Sequence, residues 1–299
     1  MPVGLAPATG AEQATPVHHP SRNDKLPALL TPPTPDASAL PSMPAPQPAV
    51  RELPWLRPGD PFPPVASAWG SADPAPGLLA AGGALDVQTL VRAYGEAIFP
   101  WFSAGQPILW WSPDPRMVLP TRDFRLHRSL RKTLRRFVED PDCEIRVDTA
   151  FSRTIRACSS VSRPGQSGTW IVEDMVDAYE RLHAAGFAHS IETWARGELV
   201  GGLYCVGIGR AVFGESMFSL QPDASKIALA ALVLFCRQHD IGLIDCQQNT
   251  RHLASLGARE QARKQFAEHV YAASTLGAPA WHFDRAWWRD LLKGPQVPA

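Results

Sequence analysis

From Gly168 to Gly257 the apolar residues change period repeatedly, and this succession limits the fold more than any other feature. A helical pattern runs from Glu173 to Ala185 and is stopped by Gly186. His189 to Trp194 alternates like a half-buried strand, Arg196-Gly197-Glu198 reads as a hairpin turn, and Leu199 to Gly207 continues the sheet. After a second turn at Gly209-Arg210 comes the strand Ala211 to Phe218, and Asp223 is expected to cap an apolar helix over Ala224–His239. A short strand, Leu243 to Gln247, and a further helix ending at Gly257 complete the series. Helix, antiparallel strands, helix, strand, helix is an α+β order.

The rest of the chain is organised differently. Twelve of the thirty prolines fall in the first 50 residues, a Pro/Ala-rich stretch without apolar period. Too little surface can be buried there to offset the ordering entropy, so residues 1–50 are expected to be disordered. The folded part is expected to begin near Leu53-Pro54-Trp55-Leu56. Residues 51–120 are turn-rich, with one helix over Asp86–Ala97, Asp86 as its N-cap and Leu85 packed behind it. Trp101, Trp110 and Trp111 then stand among four prolines between Pro100 and Pro115, a pattern that suits either a small aromatic core or a stacking face. The length of 299 residues suits about two domains.

Charge is segregated along the chain. Lys plus Arg equals Asp plus Glu at 29 each, so a polyanionic partner must be met by a local patch. Residues 122–136 hold seven Lys/Arg against one Asp. The segment Thr121–Phe137 has helical spacing at Leu130, Leu134 and Phe137, leaving Arg125, Arg128, Lys132, Arg135 and Arg136 on other faces. A solvated helix face is one reading and a phosphate-binding patch the other; acids clustered at Glu173, Asp174, Asp177 and Glu180 favour the second.

Several classes are set aside. No apolar run reaches the ~18 residues of a membrane span, and no charged-then-apolar leader opens the chain. Five widely spaced cysteines, Cys143, Cys158, Cys205, Cys236 and Cys246, suit reduced thiols in the cytoplasm rather than a disulfide scaffold or zinc site. There is no GxSxG elbow, no phosphate loop and no GxGxxG before a helix.

Polar residues inside apolar strands mark the candidate chemistry. On a strand Asp245 and Gln247 share one face while Ile244 and Cys246 share the other, so the acid and amide are either a hydrogen-bonded structural pair or a pair poised to orient a reacting group. By the same alternation Phe213, Glu215 and Met217 line an apolar wall with one acid. Two acids on adjacent strands suit a cationic substrate.

These motifs occur together, in order: FPWFSAGQPILWWSPDPR (Phe99 to Arg116), GTW (Gly168 to Trp170), AHSIETW (Ala188 to Trp194), LVGGLY (Leu199 to Tyr204), GESMFS (Gly214 to Ser219), ASK (Ala224 to Lys226), LIDCQ (Leu243 to Gln247) and ASLGA (Ala254 to Ala258). Across residues 75–265 the chain resembles the bacterial leucyl/phenylalanyl-tRNA–protein transferases. The resemblance implies a small N-terminal domain (51–120), an N-acetyltransferase-like catalytic domain (121–275) and a C-terminal tail (276–299). It implies transfer of leucine or phenylalanine from leucyl-tRNA or phenylalanyl-tRNA to an N-terminal arginine or lysine, marking that protein for degradation, by a cytoplasmic monomer without cofactor. The functional polar residues would be Asp245, Gln247 and Glu215, with Trp101 and Trp170 serving the site. The amino-acid pocket would draw on Leu203, Val212, Met217, Ser219, Leu232 and Ile244. The chain departs from the family at Thr250, where an asparagine is usual (Asn249 is adjacent), and at Val212 and Leu232, where aromatics occur.

An aminoacyl-tRNA ester is already activated, and an α-amine with a pKa near 8 is neutral in part at cellular pH. Positioning and charge stabilisation then supply most of the acceleration. Asp245 is expected to orient the amine, with Gln247 fixing Asp245 or the carbonyl; the proton passes either through a relay to Asp245 or by way of the tRNA's ribose hydroxyl. A coenzyme-A-dependent acetyltransferase would need a glycine-rich turn before the Ala224 helix, where SLQPD stands instead. A purely RNA-binding module would have no use for the internal Asp-x-Gln pair.

Overall fold

The computed structural model describes residues 52–160 and 171–293. The stretch expected to be disordered, residues 1–50, and Gly168 to Trp170 lie outside them. The chain opens with β1 (Trp55–Leu56), β2 (Leu78–Gly82), α1 (Val87–Gly95), β3 (Phe99–Pro100) and β4 (Leu109–Trp111). There follow β5 (Arg116–Pro120), α2 (Arg128–Glu139), β6 (Cys143–Val147), α3 (Phe151–Ser160) and α4 (Glu173–Ala184). Three long strands come next, β7 (Ala188–Ala195), β8 (Glu198–Ile208) and β9 (Ala211–Ser219). The remainder is α5 (Ala224–Gln238), β10 (Leu243–Asp245), α6 (Arg251–Ser255), β11 (Arg259–Gln261), α7 (Arg263–Ser274) and α8 (Trp288–Leu292).

Two sheets form. The smaller has the order β1-β2-β4-β3 and the larger β11-β5-β10-β9-β8-β7-β6. In the larger sheet the β9–β10 pair is parallel and every other neighbouring pair antiparallel. The mixture of helices with largely antiparallel strands is the α+β class read from the sequence.

Local chemistry explains most elements. The Asp86 carboxylate accepts from the backbone N–H of Thr89 at 2.9 Å and from its hydroxyl at 2.7 Å, capping α1 as expected. Arg196 and Gly197, at φ 53° and 74°, make the two-residue hairpin turn between β7 and β8. Helix α5 is apolar on nearly every side and lies in a cluster with Leu203, Val212 and Ile244 on one face of the large sheet. Helices α1, α3, α4 and α7 contribute to a second cluster with Tyr204, Phe213 and Phe218 on the other face.

Three local expectations are corrected. The basic helix starts at Arg128, not Thr121, because residues 121–125 spend their polar groups elsewhere: the Thr121 hydroxyl donates to Ile241, the Thr121 carbonyl accepts from Arg237, and the Arg125 N–H donates to Leu256. Asp223 precedes α5 but does not cap it: at φ 64° its carboxylate instead accepts from Lys226 (2.7 Å) and Thr133 (3.2 Å). Ser219 supplies the cap, accepting from the Ser225 N–H at 2.9 Å. Strand β10 stops at Asp245, since Gln247 sits at φ 53° in the left-handed region.

Candidate active site

Strand β10 delivers Asp245 to the helix-rich face of the large sheet, while its neighbour Ile244 points to the α5 side. Asp245 is 1% exposed, and both of its oxygens are hydrogen-bonded. Arg116, the first residue of β5, donates Nε to Oδ1 at 2.8 Å and Nη2 to Oδ2 at 2.6 Å. The Arg116 Nη1 group reaches the Ala97 carbonyl at 3.3 Å, and the guanidinium lies between the rings of Phe99 (4.7 Å) and Phe266 (4.6 Å). This planar, bidentate pairing is geometry that lysine does not provide.

Gln247 reaches the same place by a route other than strand alternation. Its N–H donates to Asp245 Oδ1 at 3.0 Å, and its side-chain Nε2 donates to Glu215 Oε1 at 3.3 Å. The turn, not the pleat, brings acid and amide together.

Glu215 owes its orientation to a β-bulge. Tyr204 pairs with Ser216 and Cys205 with Gly214, so Glu215 is the extra residue on β9. The bulge reverses the phase of the strand: Phe213 belongs to the helix-rich side, but Met217 packs with the α5 cluster. The single wall of Phe213, Glu215 and Met217 is therefore not formed. Glu215 Oε1 accepts from Tyr94 of α1 at 2.7 Å, Oε2 accepts from Tyr179 of α4 at 3.4 Å, and the two phenols bond each other. Burial pushes the Glu215 carboxyl up to about 8; the Asp245 charge adds to this, while the Tyr94 hydrogen bond, Arg116 and Tyr179 oppose it. The same burial raises both tyrosines well above their ordinary value, so they remain neutral donors.

Two acids thus sit in different surroundings, one clamped by a cation and one among neutral donors. The pairing of β9 with β10 ends at Asp245↔Phe213; β9 runs on to Ser219 while the other strand turns away at Gln247. The strands part beside Glu215.

The expected pocket residues divide. Leu203, Val212, Leu232 and Ile244 are buried in the α5-side cluster, with Met217 half-buried against it. Ser219 is exposed and occupied in capping α5. Trp101 follows β3, half-buried, with its ring 5.4 Å from that of Trp111; Trp170 lies outside the described residues. Thr250 caps α6 through the Leu253 N–H, and Asn249 donates to Glu260 at 2.8 Å.

Arg125, Arg128, Lys132, Arg135 and Arg136 are all exposed, and none pairs with an acid among the described residues. Arg131 is turned inward to the carbonyls of Leu291 and Leu292. The acids of α4 are partly matched: Arg156 of α3 meets Glu173 at 2.8 Å and Glu180 at 3.5 Å.

Sequence reasoning missed Arg116, Tyr94 and Tyr179. Arg116 carried a signal, a cation opening the wholly buried strand RMVLP. The tyrosines carried none, because an aromatic at helical spacing reads as core.

The family model for leucyl/phenylalanyl-tRNA protein transferase matches residues 118–271, and that for the N-terminal domain of such proteins matches residues 83–114. A leucyl/phenylalanyl-tRNA–protein transferase of Polaromonas sp. is 64% identical over 250 residues, covering 83% of this chain and 98% of that protein. Its counterpart in Albidiferax ferrireducens is 61% identical over 240 residues, covering 80% and 94%. The Paraburkholderia phymatum protein of the same name is 56% identical over 244 residues, covering 82% and 100%.

Proposed function

The chain belongs to the leucyl/phenylalanyl-tRNA–protein transferase family, and from that premise we infer that it joins leucine or phenylalanine from aminoacyl-tRNA to proteins that begin with arginine or lysine. It is an aminoacyltransferase. The observation that carries the finer reading is Glu215, an acid with no cation hydrogen-bonded to it among the described residues, ringed by Tyr94, Tyr179 and Gln247 where β9 and β10 part. A cationic N-terminal residue, on binding, holds that carboxyl in its charged form and becomes its counter-ion.

In the reaction the neutral α-amine attacks the ester carbonyl carbon. The new C–N bond replaces the bond to the ribose oxygen of the tRNA, and the proton lost by nitrogen ends on that oxygen. An activated ester needs alignment more than a strong base. Gln247 retains its carbonyl oxygen to accept from the amine, while its Nε2 is held by Glu215. On this reading the four-stranded sheet belongs to a small N-terminal domain. The larger sheet belongs to an N-acetyltransferase-like domain, whose parallel β9–β10 pair parts at the reacting groups. The exposed cations at Arg125 and on α2 meet tRNA phosphates, and Trp101 serves the aminoacyl end. The product is a protein marked for degradation, made in the cytoplasm, where the cysteines stay reduced.

The test is transfer of radiolabelled leucine from leucyl-tRNA to two peptides differing only in their first residue. Transfer to the peptide beginning with arginine, and not to that beginning with alanine, is expected. Equal transfer to both removes Glu215 from substrate selection, and no transfer to either overturns the assignment of substrate.

A further inference from the structure

Arg116 is a buried charged group for which the transfer reaction itself has no use. Its guanidinium is 1% exposed, wedged between Phe99 and Phe266, and both of its hydrogen bonds to Asp245 are short. Asp245 in turn accepts the N–H of Gln247, a residue with a β-carbon standing at φ 53°. Such a backbone persists only where its surroundings hold it. The side chain of Gln247 then reaches Glu215. The chain of hydrogen bonds runs from Arg116 through Asp245 and Gln247 to Glu215, with no oxygen of Asp245 left uncommitted.

We propose that Arg116 is a positioning residue for the transfer reaction: it clamps Asp245 as a counter-ion that holds the Gln247 turn, leaving Glu215 as the acid whose charge the site varies. Asp245 is on this account not the proton acceptor, which was one of the two routes open from the sequence. An acceptor must reach the amine, and Asp245 is 1% exposed, its Oδ1 bonded to Arg116 and Gln247 and its Oδ2 to Arg116. The groups that bear on Glu215 are Tyr94 of α1, Tyr179 of α4, Asp245 of β10, Arg116 of β5 and, more weakly, Cys205 of β8. Among them the charges of Asp245 and Arg116 act in opposite senses. Removing either partner therefore shifts Glu215 in a direction that a merely structural role does not dictate.

The experiment has one arm that depends on the transferase reading and one that does not. In the full-length protein the side-chain carboxyl of Glu215 is followed by carbon-13 NMR against pH, its signal assigned by loss in Glu215→Gln. Arg116→Gln is expected to raise its midpoint by roughly one pH unit or more, and Asp245→Asn to lower it. The neutral pair Arg116→Gln/Asp245→Asn should return it close to the original value. Should Arg116→Gln alone fail to fold, Asp245→Asn and the neutral pair still decide the matter. The second arm measures leucine transfer to the arginine peptide. Each single variant is expected to lose roughly 100-fold in kcat with little change in KM, and the neutral pair to recover about tenfold over Asp245→Asn. A midpoint that is the same in all variants, or a neutral pair no faster than Asp245→Asn, overturns the proposal. If the wild-type chain transfers nothing, the substrate assignment fails while the titration still rules on Arg116.

Discussion

Glu215 is the residue on which pH acts most directly. Its carboxyl titrates near 8 in the folded chain against an ordinary value of 4.5, so the native state holds a proton that the unfolded state has released. The sign follows: the contribution of Glu215 to stability is complete below about pH 4.5 and is lost as pH rises toward 8. Glu215→Gln, which keeps an acceptor for Tyr94 without a titrating group, should flatten stability against pH over that range. Urea midpoints at pH 5, 7 and 8.5 would show it, and parallel curves for the two proteins would refute it. The same substitution should raise the peptide KM about tenfold with kcat less affected, because it removes charge recognition rather than alignment. Gln247→Ala belongs to the other class: in the proposed mechanism it removes the group that accepts from the amine, and kcat should fall roughly 100-fold with KM nearly kept. Asp245, Gln247 and Glu215 were legible in the sequence because polar side chains in apolar strands demand partners. Tyr94 and Tyr179 were not, and Arg116 showed only as a cation opening an apolar strand: their partners lie 121, 36 and 129 residues away, and nothing local announces such a pairing.

At the scale of the element, hairpin turns and apolar periods were legible because they are local. Where elements break was not. The start of α2 is set by Arg237 and by the Ile241 and Leu256 carbonyls, the end of β10 by the Gln247 turn, and the phase of β9 by one extra residue opposite Tyr204 and Cys205. Tertiary partners decide these boundaries, and periodicity has no access to them. Helix α2 itself kept its buried stripe of Leu130, Leu134 and Phe137 and its exposed cations. If these meet tRNA phosphates, replacing Arg128 and Arg135 by Gln should weaken tRNA binding and reduce the salt slope by about one unit for each phosphate no longer neutralised. The weakening should be equal for leucyl- and phenylalanyl-tRNA, since a cation on a phosphate does not read the amino acid; an unchanged slope would return α2 to a solvated face. Packing of α5 on the sheet gives a separate test. A β-carbon at Gly201 would collide with the Ala224 side chain and lie 3.0 Å from its carbonyl carbon. Gly201→Ala should therefore cost about 1–3 kcal/mol in urea unfolding, whereas a neutral outcome would show that α5 slides freely.

For the whole molecule the C-terminal segment matters more than its place in the sequence suggests. It follows the part matched by the family model, which ends at residue 271, and the sequence reads there as a tail. In the structure it closes the α5 side of the core. Trp281 stacks between His189 (3.9 Å) and Phe235 (4.3 Å), tying β7 to α5. Arg285 donates to the carbonyls of Val138, Asp140 and Cys143, serving the end of α2 and the start of β6. Trp288 and Leu291 are buried in the same cluster as α5, and Arg131 of α2 holds the final turn of α8 through Leu291 and Leu292. The strap therefore fixes the helix that carries the exposed cations to the sheet that carries Glu215 and Asp245. Trp288→Ala should cost about 3–5 kcal/mol, as deletion of a buried large aromatic does. Ending the chain at Leu276 should cost more, since α2 then loses the bonds of Arg285 and its packing against Trp288 through Phe137, whose ring lies 6.4 Å away. The distinguishing measurement is hydrogen exchange in the full-length and shortened proteins. Amides of α2 and β6 should lose protection first and those of β9 last, because the backbone at the end of α2 and the start of β6 is held by Arg285 itself. Uniform loss across the sheet would show instead that the segment stabilises the fold as a whole without fixing α2 in particular.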